Sequence, residues 1–266
     1  LRRTFIDAAV LAQRNIAKTL REPESLLDVT VIPIIFTLLF AYVIGPAISL
    51  PSTSSGGFHS FLIPGMLAFM IMNATRGTAV GIAADMREGI IDRFRSLPMS
   101  RAGVLLGRSI ADLATLVLAI GVLVATGLVI GWRPHHGVGS TLAALALVLL
   151  FGFAFDWLML CLGLLIQSVE GADQAGLLLM FALAFVSTAI VPTNHMASWL
   201  RTFTYWNPVS VVATACRHLF GNPNPAAHSS AWTMQHPEAA SVNWSVAMVA
   251  VLAPMAVQLY RTRTNH

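Results

Sequence analysis

The side chain with the most chemistry in reach is Asp156, set in Phe153-Ala-Phe-Asp-Trp157 within a long apolar run. A charged carboxyl at that depth is costly, so such a residue faces a bundle interior or a cavity, or finds a partner. It would then serve as a proton relay or substrate contact, or stand as a neutral or paired carboxyl bonded to a neighbouring span. A relay needs acids in series, and this one is isolated in the sequence, so the paired carboxyl is the favoured reading. Asn73 and Arg76 are the partners the sequence offers it. Arg108 and Asp112, four residues apart, read more simply as an i,i+4 pair.

Other chemistries are excluded by what accompanies the reactive residue types. A phosphate-binding loop ends in Gly-Lys-Ser/Thr so that its lysine reaches the phosphates. The single lysine, Lys18, stands in Ile16-Ala-Lys-Thr19 with no glycine near it. Any function driven by ATP must therefore borrow a partner's engine. His135 and His136 are adjacent and point apart on regular structure, with no cysteine or acid at ligand spacing. His59, His195, His228 and His236 are scattered over expected outer loops, so no metal is expected. Cys161 and Cys216 fall in separate apolar segments and suggest no disulfide framework. Serine, cysteine and histidine form no nucleophile elbow. No catalytic residue and no cofactor is expected in this chain.

The elements that position these residues follow from composition. The 266 residues are 56% hydrophobic and 11% charged, with a mean hydropathy of +0.72. A soluble domain carries about 25% charged residues, so this is an all-α membrane protein. The net charge of +4 is spread between apolar spans rather than gathered into a nucleic-acid patch. Leu1–Phe5 is not followed directly by an apolar core, so no cleavable signal is expected.

In order, residues 1–24 predict an interfacial helix. Phe5, Ala9, Ala12, Ile16 and Leu20 line one side, with Arg3, Asp7, Arg14, Lys18 and Arg21 opposite. After a turn at Glu22-Pro-Glu-Ser25, six spans are expected at 27–47, 61–84, 104–130, 141–166, 174–191 and 242–260. A short acidic turn with Glu170 and Asp173 precedes the fifth. Residues 192–241 form an extracellular segment with two runs too short to cross. The first carries an aromatic face of Met196, Trp199, Leu200, Phe203 and Trp206 and breaks at Asn207-Pro208. The second is Val209–Phe220. Both are expected to be re-entrant or interfacial helices, with Gly221–Ser241 an exposed loop.

With the N-terminus inside, the inner segments hold twelve basic residues, from Arg2 to Arg263, and the outer ones only Arg133, Arg201 and Arg217. Positive-inside asymmetry then places both termini in the cytoplasm of a multi-pass chain. Residues 85–101 are the longest charged, helix-patterned interior stretch and fall on the same side. Met86, Ile90, Phe94 and Leu97 make an apolar stripe, while Arg87, Glu88, Asp92, Arg93 and Arg95 lie mostly off it. Pro98 ends that helix, and Ser100 is placed to cap the next.

Glu88-Gly89, Asp92-Arg93 and Leu97-Pro98-Met-Ser100-Arg101 together resemble the signature of type-2 ATP-binding-cassette exporter permeases. The nearest likeness is to daunorubicin-resistance-type exporters of actinobacteria. Val191-Pro-Thr-Asn-His-Met-Ala-Ser-Trp-Leu200 and Asn207-Pro-Val-Ser210 resemble the same family, and the likeness covers nearly the whole chain. Ile90 departs from the threonine many relatives carry, and it completes the apolar stripe.

The resemblance implies a permease of the bacterial plasma membrane, paired with a second permease copy or paralogue and driven by a nucleotide-binding ATPase subunit. It implies that 85–101 is a coupling helix seated in that ATPase, with Arg101 holding the interface. It implies export of a hydrophobic or amphipathic substrate: a drug, an antibiotic or a complex lipid. Contact with membrane lipid is implied, and none with nucleic acid. The alternative from the residues alone is a proton-coupled secondary transporter using Asp156. It lacks the paired repeats and multiple intramembrane charges usual for such carriers.

Overall fold

The computed structural model describes residues 23–47, 57–87, 101–166, 168–190, 196–224 and 229–263. Among these there are nine α-helices and no strand: α1 Pro23–Leu39, α2 Gly57–Arg87, α3 Arg101–Val129, α4 Gly137–Leu165, α5 Val169–Phe185, α6 Ser198–Trp206, α7 Pro208–Phe220, α8 Trp232–Gln235 and α9 Pro237–Arg263. A π-turn at Phe40–Ile44 and a 3-10 turn at Gly45–Ala47 extend α1.

The bundle is organised around α2. Of its apolar window 83% is buried, against 22% for those of α1 and α9, because α2 packs on α1, α3, α4, α5 and α7. Its Leu62, Ile63, Met66, Phe69 and Met70 meet Phe151, Phe155 and Met159 of α4, Leu116 of α3, Met180 of α5 and Val212 of α7 in one core. Small residues let backbones close up. A Cβ on Gly163 of α4 would run into the Ala79 carbonyl oxygen of α2, and one on Gly152 would lie 2.7 Å from Ile71 Cγ1. Internal prolines Pro33, Pro64 and Pro254 are carried within helices, as membrane bundles allow where neighbours re-satisfy the backbone.

Among the described residues, five helices are long and apolar enough to cross a bilayer: Leu27–Ile44, Phe58–Arg87, Arg108–Val129, Gly137–Leu165 and Pro237–Thr262. The remaining expected span, the fifth, at 174–191, differs. Helix α5 has 17 residues, about 26 Å of rise, short of the ~30 Å hydrocarbon core. It begins early because Ser168 caps it, accepting from Gly171 N at 3.1 Å. The expected acidic turn is therefore its first helical turn, where Glu170 complements the dipole. It ends at Phe185 because the Asn207 side chain donates to the carbonyls of Leu183, 2.8 Å, and Val186, 2.7 Å.

Other boundaries also shift. Pro23 opens α1 rather than a turn, as its missing N–H suits a first helical position. Helix α2 runs on through Arg87, so Asp85, Met86 and Arg87 are its last turn, not the start of a separate coupling helix. Helix α9 begins at Pro237 and α8 occupies Trp232–Gln235, replacing much of the expected exposed loop. Thr233, Met234 and Ala240 there are buried. His59 lies in α2, not in a loop. The expected interfacial helix 1–24 and most of the coupling stretch, Glu88 to Ser100, lie outside the described residues.

Candidate functional site

Polar side chains gather in the half of the bundle where α2 ends and α3 begins. Asp156 of α4 is fully buried, and its Oδ1 lies 2.5 Å from the Thr78 hydroxyl of α2. The same hydroxyl lies 2.9 Å from Asp112 Oδ2 of α3. Arg108 Nε stands 3.8 Å from that Asp112 oxygen, while its Nη1 makes the closer contact, 2.6 Å to Asp85 Oδ2. Gly81 makes this reach possible, since a Cβ there would meet the Arg108 guanidinium. The result is a continuous chain, Asp156–Thr78–Asp112–Arg108–Asp85, across three helices. It runs from mid-bundle to the last turn of α2.

The expectation that Asp156 hydrogen-bonds a neighbouring span holds, but not with the partners expected. Arg76 turns to another side of α2. Its Nη1 lies 3.2 Å from Asp173 of α5 and its Nη2 3.6 Å from Asp28 of α1. Asn73, one turn earlier, is buried. The reason is rotational: Arg76 and Thr78 are two residues apart and so project from different faces of α2. The i,i+4 pair of Arg108 and Asp112 is present, subordinate to the shorter Arg108–Asp85 bond.

Met86 packs into a cluster with Ile82 of its own helix, Trp157 and Leu160 of α4 and Tyr260 of α9, while Arg87 is exposed. Of the expected coupling residues, Glu88, Gly89, Ile90, Asp92, Arg93, Phe94, Leu97, Pro98 and Ser100 fall outside the described residues. Arg101 is the first residue of α3. The polar chain thus ends beside the two helix termini that flank the motif.

At the other end, α6 presents Trp199, Phe203 and Trp206 outward on one face, 68%, 67% and 53% exposed. None lines the bundle interior. Helix α7 is instead almost wholly buried between α2, α4 and α9. Sequence reasoning missed Thr78, an uncharged residue in Arg76-Gly-Thr-Ala79. It also placed Arg217 in an outer segment, although the apolar run around it was a signal of burial.

A protein-family model for the ABC-2 type transporter matches residues 7–220. The chain is 29% identical over 244 residues to the daunorubicin resistance ABC transporter permease protein DrrB1 of Streptomyces coeruleorubidus, covering 92% of this chain and 82% of that one. It is 24% identical over 268 residues to a protein of Mycobacterium tuberculosis described as "Probable doxorubicin resistance ABC transporter permease protein DrrC", covering 99% and 92%. It is 26% identical over 257 residues to the doxorubicin resistance ABC transporter permease protein DrrB of the same species, covering 92% and 85%. With a match spanning most of its length on a multi-pass helical bundle, the chain belongs to the ABC-2 type transporter family.

Proposed function

We propose that the chain is the permease subunit of an exporter that moves a hydrophobic or amphipathic substrate out of the cell, driven by a separate ATPase subunit. ATP and magnesium bind in that partner, and the charged stretch 85–101, which begins in the last turn of α2, docks on it as the coupling element. Two permease copies, identical or paralogous, complete the membrane part. The termini and the coupling stretch face the cytoplasm of a bacterial plasma membrane. Relatives named for daunorubicin and doxorubicin resistance support an amphipathic drug as substrate.

The observation that carries this reading is the polar chain ending on Asp85. Displacement of 85–101 would pass through Arg108 and Thr78 into α3, α2 and α4 together, and α2 touches five other helices. Hydrogen-bonded and ion-paired links between rigid helices are suited to moving them as a unit. Energy then comes from the partner's ATP rather than from protons crossing at Asp156.

The test is reconstitution of the permease with its ATPase in vesicles. Glu88→Ala and Arg93→Ala should abolish ATP-driven substrate movement while membrane insertion and oligomeric state stay unchanged. Transport at full rate in both variants would overturn the coupling assignment.

A further inference from the structure

The Thr78 hydroxyl carries one hydrogen, yet it stands 2.5 Å from Asp156 Oδ1 and 2.9 Å from Asp112 Oδ2. An ionised carboxylate only accepts hydrogen bonds. If both acids were ionised, one of these contacts would set two oxygens together with no hydrogen between them. A second observation points the same way. Asp156 Oδ2 is buried with no partner. Ser109 of α3, 1% exposed, stands beside the same carboxyl.

The charge balance agrees. Three carboxyls, Asp85, Asp112 and Asp156, face one cation, Arg108, whose short bond goes to Asp85. Among the described side chains no other ion pair joins the group, and Arg87, in the same turn as Asp85, is exposed. On α2, Arg76 is engaged by Asp28 and Asp173. On α9, Tyr260 and Arg261 stand on the Trp157 side of α4. On α7, Arg217 sits near the far end of α4, where its neighbour Cys216 contacts the Ala144 carbonyl. Two carboxylates against one hydroxyl, one of them fully buried and the other sharing its arginine with Asp85, are strongly disfavoured.

We propose that Asp112, Thr78 and Asp156 form a binding site for a single proton, shared between the two carboxyls and exchanged with water at the Asp85–Arg108 end. The bound proton supplies the missing hydrogen, so that one acid donates to the Thr78 oxygen and Thr78 donates to the other. With it in place, α2, α3 and α4 are held together. Without it, two carboxylates repel across the hydroxyl and push α4 from α3. The site stores a proton and does not conduct one. Between Asp156 and Thr141 every residue of α4 is apolar, so nothing on that helix continues the path. This inference does not rest on the transport reading.

The test uses the full-length protein in lipid nanodiscs and infrared difference spectra between wild type and variants, in light and heavy water at neutral pH. Wild type should show the carbonyl stretch of one protonated carboxylic acid, shifted by deuterium and lost on alkaline titration. Asp156→Asn and Asp112→Asn should each abolish it. Thr78→Val should retain it at an altered frequency, because the acid loses its hydroxyl partner while the carboxyl pair survives. A wild-type spectrum without that band would overturn the proposal. So would a band that persists in Asp112→Asn, since a single acid neutralised by burial alone needs no partner. If an Asn variant fails to fold, the wild-type titration and Thr78→Val still decide.

Discussion

Arg217 of α7 donates from Nε to the Phe61 carbonyl at 3.2 Å, while its Cζ lies 4.1 Å from the centroid of the same residue's ring. One residue of α2 thus offers a buried cation both an acceptor and a π face. The guanidinium also reaches Ala189, donating from Nη2 to its carbonyl at 3.0 Å. Gly65 makes this crossing possible, since a Cβ there would strike the Ala189 carbonyl. Three segments, α2, α7 and the turn after α5, are pinned by one side chain.

Arg217→Lys keeps the charge but loses the planar fork that serves two carbonyls and a ring at once. A hydrogen bond from a charged group is worth about 1.5–3 kcal/mol, so the loss should be on the order of 2 kcal/mol. Thermal denaturation in detergent should show a lower Tm. A Tm equal to wild type would mean that the fork is not a principal tie.

Asn207 closes one helix and opens the next. Its Nδ2 donates to Leu183 and Val186 at the end of α5, and its Oδ1 accepts from Val209 N at 2.9 Å at the start of α7. Asn207→Asp preserves the cap but has no amide donor, whereas Asn207→Ala loses both. Alanine should lose in addition roughly the 0.5–2 kcal/mol of the N-cap, whereas aspartate sets an acceptor against the two carbonyls that the amide served. Hydrogen exchange should show faster opening of the end of α5 in both variants and of the start of α7 in alanine alone. Equal exchange in the two would contradict the division of roles.

Arg76 ties α1 and α5 to α2, with contributions that should be unequal. Asp173 is nearer, 3.2 Å against 3.6 Å, and less exposed, 38% against 51%. Exposed pairs are worth about 0.2–1 kcal/mol, so Asp173→Asn should lie toward the upper end and Asp28→Asn toward the lower. A double-mutant cycle with Arg76→Gln, run at low and high salt, reads each coupling. A larger coupling for Asp28 would contradict this geometry.

Gly163 and Gly77 should respond in opposite ways to an added methyl. At Gly163 a Cβ would meet the Ala79 carbonyl and an Ile82 methyl, whereas at Gly77 nothing lies within 4 Å. Overpacking of this kind costs about 1–3 kcal/mol, while alanine at an open helical glycine stabilises by about 0.4–1 kcal/mol. Gly163→Ala should therefore lower the Tm and Gly77→Ala should hold or raise it. The reverse order would show that α2 and α4 are not packed backbone to backbone.

The helical membrane class, five of the six expected spans as helices long and apolar enough to cross, and the break at Asn207-Pro208 were legible in the chain. Each rests on a local property: hydropathy over a bilayer length, or a proline that lacks an N–H. Boundaries failed where a distant side chain intervened. The fifth span stops at Phe185 because Asn207, 21 residues beyond Val186, takes its terminal carbonyls. Asp156 was legible as a buried acid, but its partners were not, because Thr78 is uncharged and Arg76 faces away.

By itself, then, the sequence determined that this is an oily helical chain with one acid in mid-span, no nucleotide loop and a charged interior stretch. These are consequences of residue type and period, which need no knowledge of neighbours. Only the tertiary structure decided that Asp156 and Asp112 meet at the Thr78 hydroxyl, and that the chain from there reaches Asp85 beside that stretch. Such a meeting depends on how three helices are rotated and stacked, and that is set by small residues such as Gly81 and Gly163 at their contacts.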